Sequence, residues 1–176
     1  MRLRLPAWMP LGVRELRPPP DQRPLVWLSR AALQTMTSDA IRWTPAETGG
    51  VILGYEAEGA IVVTSVVLGG PGARRDPHRF SPDAAWQVSQ IAQRYVASGR
   101  TETYLGDWHT HPRGHLSLSR RDGRTAMRIA SSPTARAPRP LMLLLTGDRV
   151  GWRGAVWQYE REALVRCRVR RFEAAD

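Results

Sequence analysis

Trp108-His109-Thr110-His111-Pro112 ends a segment that starts at Thr103, and Ser119 and Asp122 follow it. Strand side chains alternate, so His109 and His111 share one side of a strand, while Trp108 points to the other, into packing. Pro112 has no N–H for a ladder and ends the strand. Seven residues separate His111 from Ser119. A helix opening near Ser117 or Ser119 puts Ser119 and Asp122 on one face, because residues three apart on a helix are neighbours. Two imidazoles, one carboxylate and one hydroxyl then converge where the strand ends and the helix starts. Two His and one Asp leave one position of a tetrahedral zinc ion open, which marks a catalytic rather than a structural site.

The upstream partner is Glu47, in Thr44-Pro45-Ala46-Glu47-Thr48-Gly49-Gly50-Val51-Ile52-Leu53-Gly54. A hydrolytic zinc site needs a general base close to the attacking water, and a carboxylate is a common choice. Glu47, His109-x-His111-Pro112 and Ser119-x-x-Asp122, in that order, resemble the signature of the JAMM/MPN+ (JAB domain) zinc metallopeptidases. The Glu-x-Gly-Gly-x-x-x-Gly run at Glu47 is similar to that family too. His-x-His alone is a weak signal; five positions with this spacing are a specific one. The resemblance spans residues 40 to 147.

That resemblance implies a single-domain α/β (mixed α+β) MPN/JAB fold, a mixed sheet flanked by helices. It implies one Zn2+ per chain held by His109, His111 and Asp122, with Glu47 as base to a zinc-activated water and Ser119 stabilising the oxyanion. The implied reaction is cleavage after the C-terminal glycine of a ubiquitin-like protein, in precursor processing or deconjugation, without a covalent intermediate. The chain is similar to the stand-alone prokaryotic branch, the deubiquitinase-like peptidases of bacterial ubiquitin-like conjugation operons (Bil, CBASS). E1-like and E2-like partners and a role in antiviral defence follow from that likeness. The rival readings are a sulfur-carrier peptidase that releases an amino acid and a RadC-like DNA-associated protein.

The 176 residues suffice for one domain with its own core. The single cysteine, Cys167, excludes an internal disulfide and a Cys-based zinc cluster, which fits a cytoplasmic protein. No apolar run approaches the ~20 residues of a membrane span, and no signal peptide is expected. The formal charge is +10, all 26 basic residues are arginine, and lysine is absent. Only the α-amino group is then open to lysine-directed modification. The arginines are scattered along the sequence without a helix-turn-helix or zinc-finger spacing, so nucleic-acid binding is not expected.

Pro and Arg dominate residues 1–23, which read as an extended arm or a poorly ordered tail, with Leu3, Leu5 and Trp8 able to pin part of it; the metallopeptidase domain is expected over 24–172. Within it, Leu25-Val26-Trp27-Leu28 reads as a strand, and Ser29 as the N-cap of a helix reaching Trp43 with Ala32, Leu33, Met36, Ala40 and Ile41 inward. Two strands joined by Glu56-Ala57-Glu58-Gly59 form a hairpin. Residues 69–80 read as loop; its arginines are either a solvated surface or, as the resemblance implies for this region, one that holds an acidic ubiquitin-like protein. Ser81-Pro82 then opens a helix with Ala85, Val88, Ile91, Ala92 and Tyr95 inward, stopped by Gly99. After the metal loop, a helix with Met127 and Ile129 inward precedes Leu141-Met142-Leu143-Leu144-Leu145, a strand covered on both faces. Two further strands run from Trp152 to Tyr159 and from Glu162 to Phe172. Cys167 falls on the apolar phase of the last, so it is core rather than nucleophile. His78 and His115 read as solvated loop histidines.

Overall fold

The computed structural model describes residues 13–173; Leu3, Leu5 and Trp8 lie outside the described residues. A nine-stranded mixed sheet and three helices make up the body. The strands are β1 (Arg14–Leu16), β2 (Leu25–Ser29), β3 (Gly49–Ala57), β4 (Ala60–Val67), β7 (Thr103–Pro112), β8 (Leu141–Gly147), β9 (Trp152–Glu160), β10 (Ala163–Arg166) and β11 (Arg168–Phe172). Between β4 and β7 lie the small hairpin β5 (Arg74–Asp76) and β6 (Arg79–Ser81). The helices are α1 (Arg30–Trp43), α2 (Ala84–Ala97) and α3 (Arg120–Ala130).

Sheet order is β1-β10-β9-β8-β7-β3-β4-β2-β11. The β3–β4 pair is the expected hairpin, turned at Glu58 and Gly59, both with positive φ. In the middle, β7 runs antiparallel to β3 and parallel to β8. The parallel pairing requires a crossover, and α3 lies on it. All five apolar residues of β8 are buried, as a strand between two neighbours and under cover demands. Trp108, from the β7 face opposite the histidines, sits in the main core with Ile52, Leu143 and Met36.

The structure departs from the sequence reading in several places. Residues 69–80 are not all loop, because β5 and β6 pair there. Ser81 belongs to β6, so the α2 cap is Asp83, whose carboxylate accepts from Trp86 N at 3.2 Å and from Gly72 N at 3.1 Å. The inward face of α2 is turned from the expected one. Gln87 is buried and donates to the Leu68 carbonyl at 2.9 Å, whereas Val88 is 66% exposed. In α1, the inward position is Asp39 rather than Ile41, and in α3 it is Ala126 rather than Met127. The expected last strand breaks at Cys167 into β10, antiparallel to β9, and β11, parallel to β2. The Cys167 N–H donates to the Val156 carbonyl at 2.9 Å at the break, where the chain passes from β10, next to one sheet edge, to β11 at the other.

Candidate active site

β7 delivers His109 and His111 to one side at its C-terminal end. Their Nε2 atoms are 3.2 Å apart. Thr146 holds the strand end by donating its hydroxyl to the His111 carbonyl at 2.9 Å and to the Gly114 carbonyl at 2.7 Å. Asp122 comes from the first turn of α3. Its Oδ1 is 3.3 Å from His109 Nε2 and its Oδ2 is 3.9 Å from His111 Nε2. A capping box fixes that turn: Ser119 N donates to Asp122 Oδ2 at 2.6 Å, and Asp122 N donates to Ser119 Oγ at 3.3 Å.

The three ligand atoms lie within 4.8 Å of one another. Ligands about 2.0–2.1 Å from a tetrahedral zinc ion stand about 3.3 Å apart, so the spacing fits such an ion. The chemistry fits as well. Two facing imidazole nitrogens share at most one proton, and a cation satisfies both lone pairs. Burial and the neighbouring His109 lower the pKa of His111, although Asp122 and the His115 backbone oppose them, so neutral imidazole is favoured. Burial raises the pKa of Asp122, but hydrogen bonds from His109 and Ser119 outweigh it and leave the carboxylate well below the usual range.

Glu47 lines the same cleft, a space of about 600 Å³ that also holds His109, His111, Ser119 and Asp122. Burial raises its pKa; His109 and Arg121 lower it, and Asp122 and Asp76 raise it. Gly49 and Gly50 explain how β3 brings it so near. A Cβ on Gly49 would lie 2.5 Å from the Trp108 carbonyl oxygen, and one on Gly50 1.9 Å from that of Val67. The structure thus brings all five residues singled out in the sequence into one cleft.

Residues 29–159 match a described family, prokaryotic homologues of the JAB domain. The chain belongs to the JAB-domain family. JAB domains of this kind are metallopeptidases, and this one is an enzyme of that class. Over 149 residues the JAB domain is 42% identical to a Sinorhizobium fredii protein named "Probable metalloprotease y4qB", covering 82% of this chain and 91% of the relative. Two relatives are named "CD-NTase/cGAS isopeptidase". The one from Enterobacter hormaechei is 26% identical, with 70% of this chain and 68% of the relative covered. The one from Vibrio cholerae is 28% identical, with 67% and 70% covered. The solution structure of protein DSY2949 from Desulfitobacterium hafniense shares the fold, with a TM-score of 0.64 at 18% identity over 85% of this chain and 94% of that one.

Sequence reasoning missed the polar network beneath Glu47 in the JAB domain. Buried Thr48 donates its hydroxyl to Asp39 Oδ2 at 2.6 Å, and its N–H to Thr110 Oγ1 at 2.9 Å. Trp43 Nε1 donates to Asp39 Oδ1 at 3.1 Å. Arg75 donates to Thr48 Oγ1 at 3.1 Å and lies 4.2 Å from the Trp43 ring, so it turns inward rather than offering itself to a partner. The Glu47 N–H donates to the Asp76 carbonyl at 2.9 Å, which joins the β5–β6 hairpin to the Glu47 segment. An Asp at a helical inward position was the only signal in the sequence. His78 remains exposed but lines the cleft, while His115 is exposed and does not. Among the described residues no helix is long and apolar enough to cross a membrane.

Proposed function

We propose that this JAB domain is a zinc-dependent isopeptidase or peptidase that cleaves after the C-terminal glycine of a ubiquitin-like protein, from a precursor or a conjugate. The observation that carries this reading is the convergence of His109, His111 and Asp122 beside Glu47 in one cleft. Relatives named isopeptidases support the choice of bond, and the ubiquitin-like partner is inferred from that bond type. Residues 24–172 are the catalytic domain in this reading, and 1–23 an arm from which Arg14–Leu16 docks as an edge strand on β10.

His109, His111 and Asp122 hold the metal. A zinc ion bound there supplies Lewis acidity, polarising the scissile carbonyl and acidifying the attacking water. Glu47 takes a proton from that water and passes it to the leaving amine; a half-buried carboxylate with a raised pKa is suited to both directions of transfer. The Ser119 hydroxyl accepts from the Asp122 amide and keeps its own proton for the carbonyl oxygen as charge develops.

The test joins metal content with cleavage. The purified protein is offered a ubiquitin-like protein from the same operon, carrying a C-terminal extension. The expected result is one zinc per chain and cleavage after the terminal glycine. Glu47→Ala should retain the metal and lose about 10³-fold or more in rate, and His109→Ala should lose the metal. Glu47→Ala with full activity would remove the assigned base. Zinc with release of a single amino acid from a sulfur carrier would move the substrate assignment.

A further inference from the structure

The wall of the cleft formed by α3 carries Arg120, Arg121, Arg124 and Arg128, all exposed. Their spacing along the helix turns scattered arginines into one basic face beside the metal ligands. Among the described residues none of the four makes a salt bridge, although Arg17, Arg30, Arg139 and Arg161 do elsewhere. The carboxylates that line the cleft are already committed. Asp122 faces the two histidines, Asp107 accepts from the Tyr104 hydroxyl at 2.7 Å, and Glu47 is the proposed base. His78, Phe80 and Pro82 also line the cleft and add no carboxylate to Glu47, Asp107 and Asp122. An anionic group entering along α3 therefore meets four exposed cations, none of them held in a salt bridge among the described residues.

We propose that the α3 arginines select peptide substrates that carry acidic residues immediately beside the scissile bond. This rests on the peptidase reading and sharpens its substrate class. The reach follows from helix geometry. Arg124 and Arg128 lie about 3 and 9 Å along the axis from Asp122, at ~1.5 Å per residue. An extended peptide advances about 3.3 Å per residue, so the wall addresses roughly the first three residues from the bond. The arginines line one cleft with the metal ligands, and of the aromatic rings there Trp108 is buried in the core, which leaves Phe80 and no row of stacking platforms and so favours a peptide over single-stranded nucleic acid.

The test uses fluorescent peptides with a Gly-Gly isopeptide to lysine, bearing Glu, Gln or Lys at three positions on either side of the bond. Their kcat/KM is measured at low and high salt. Binding to the metal-loaded Glu47→Ala variant is read separately by anisotropy. The Glu peptides, with acid on at least one side, should exceed the Gln peptides about fivefold to tenfold at ~50 mM salt, and that preference should fade towards ~500 mM. Arg124→Glu should reverse the order towards the Lys peptides with an unchanged Tm. Equal rates for all three sets overturn the proposal and leave the hydrolase reading intact. If no peptide is cleaved, the hydrolase reading fails, and the anisotropy order alone decides the charge preference. A preference that survives Arg124→Glu, or a short single-stranded oligonucleotide that displaces the acidic peptide, also overturns it.

Discussion

Ser119 accepts the Asp122 N–H with one lone pair, which leaves its proton free to point into the cleft. Removing the hydroxyl therefore has two separable effects. Ser119→Ala loses the cap, about 1 kcal/mol, and should lower Tm by roughly 2–4 °C in a chain of this size. Ser119→Gly caps almost as well and should melt near the wild type. Both should lose about 10²–10³ in kcat, as the loss of one oxyanion donor does. A Ser119→Gly variant with normal kcat would make the residue a cap alone. Cys167 is the opposite case: burial pushes its thiol up to about 12, against smaller downward pulls from the Gln158 backbone and Arg166. A folded pKa above the unfolded one means the neutral thiol's stabilisation holds below the unfolded pKa of about 8.5 and is lost as pH rises through about 12. Iodoacetamide at neutral pH should leave the folded protein unlabelled and react in urea; prompt labelling when folded would contradict the burial. The Ser119 cap and the buried Cys167 were legible, since a serine three residues before an aspartate and a cysteine on an apolar phase are local patterns. Asp39 was not, because its partner Thr48 lies beyond the end of α1 and only the fold brings them to 2.6 Å.

Elements read well where local chemistry fixes them and poorly where packing chooses between two faces. Ser29 caps α1 as its position suggests, and β8 is buried along its apolar length. On α2 the apolar stripe through Val88 and Tyr95 faces outward, because Asp83 N donates to the Gly69 carbonyl and Gln87 reaches the Leu68 carbonyl, which sets the rotation of the helix. Periodicity cannot see a glutamine that serves a neighbouring loop. On β3 the tight fit is testable. Gly50→Ala puts a Cβ 1.9 Å from the Val67 carbonyl oxygen and 2.8 Å from Trp108 Nε1. The strand must shift, and overpacking of this kind costs about 1–3 kcal/mol. Gly50→Ala should therefore melt several degrees lower and bind metal more weakly, since Trp108 adjoins His109. Gly151→Ala, whose Cβ meets nothing within 4 Å, is the control and should melt like the wild type. Equal melting of the two variants would mean that β3 is not tightly held.

At the scale of the whole molecule, the sheet order interleaves the two ends of the chain, with β1 on β10 and β11 on β2. No local pattern encodes such pairings, so the order stayed hidden while the site did not. The spacing of Glu47, His109, His111, Ser119 and Asp122 is a chemical constraint on one sequence, whereas strand order is a choice among long-range partners. The proposed metal ligands also tie distant parts together, because β7 sits mid-sheet and α3 crosses from it to β8. An ion that binds this folded arrangement and not the unfolded chain adds stability by mass action, about 2.7 kcal/mol at free metal 100-fold above its Kd. For a domain of this size that is a Tm rise of roughly 5–11 °C. Chelator-treated protein should melt lower by that amount and recover with added zinc. His109→Ala should melt at the chelated temperature with or without zinc, because one of three ligands is gone. If chelation and zinc leave the wild-type Tm unchanged, or if His109→Ala responds to zinc as the wild type does, then these three side chains do not hold the ion.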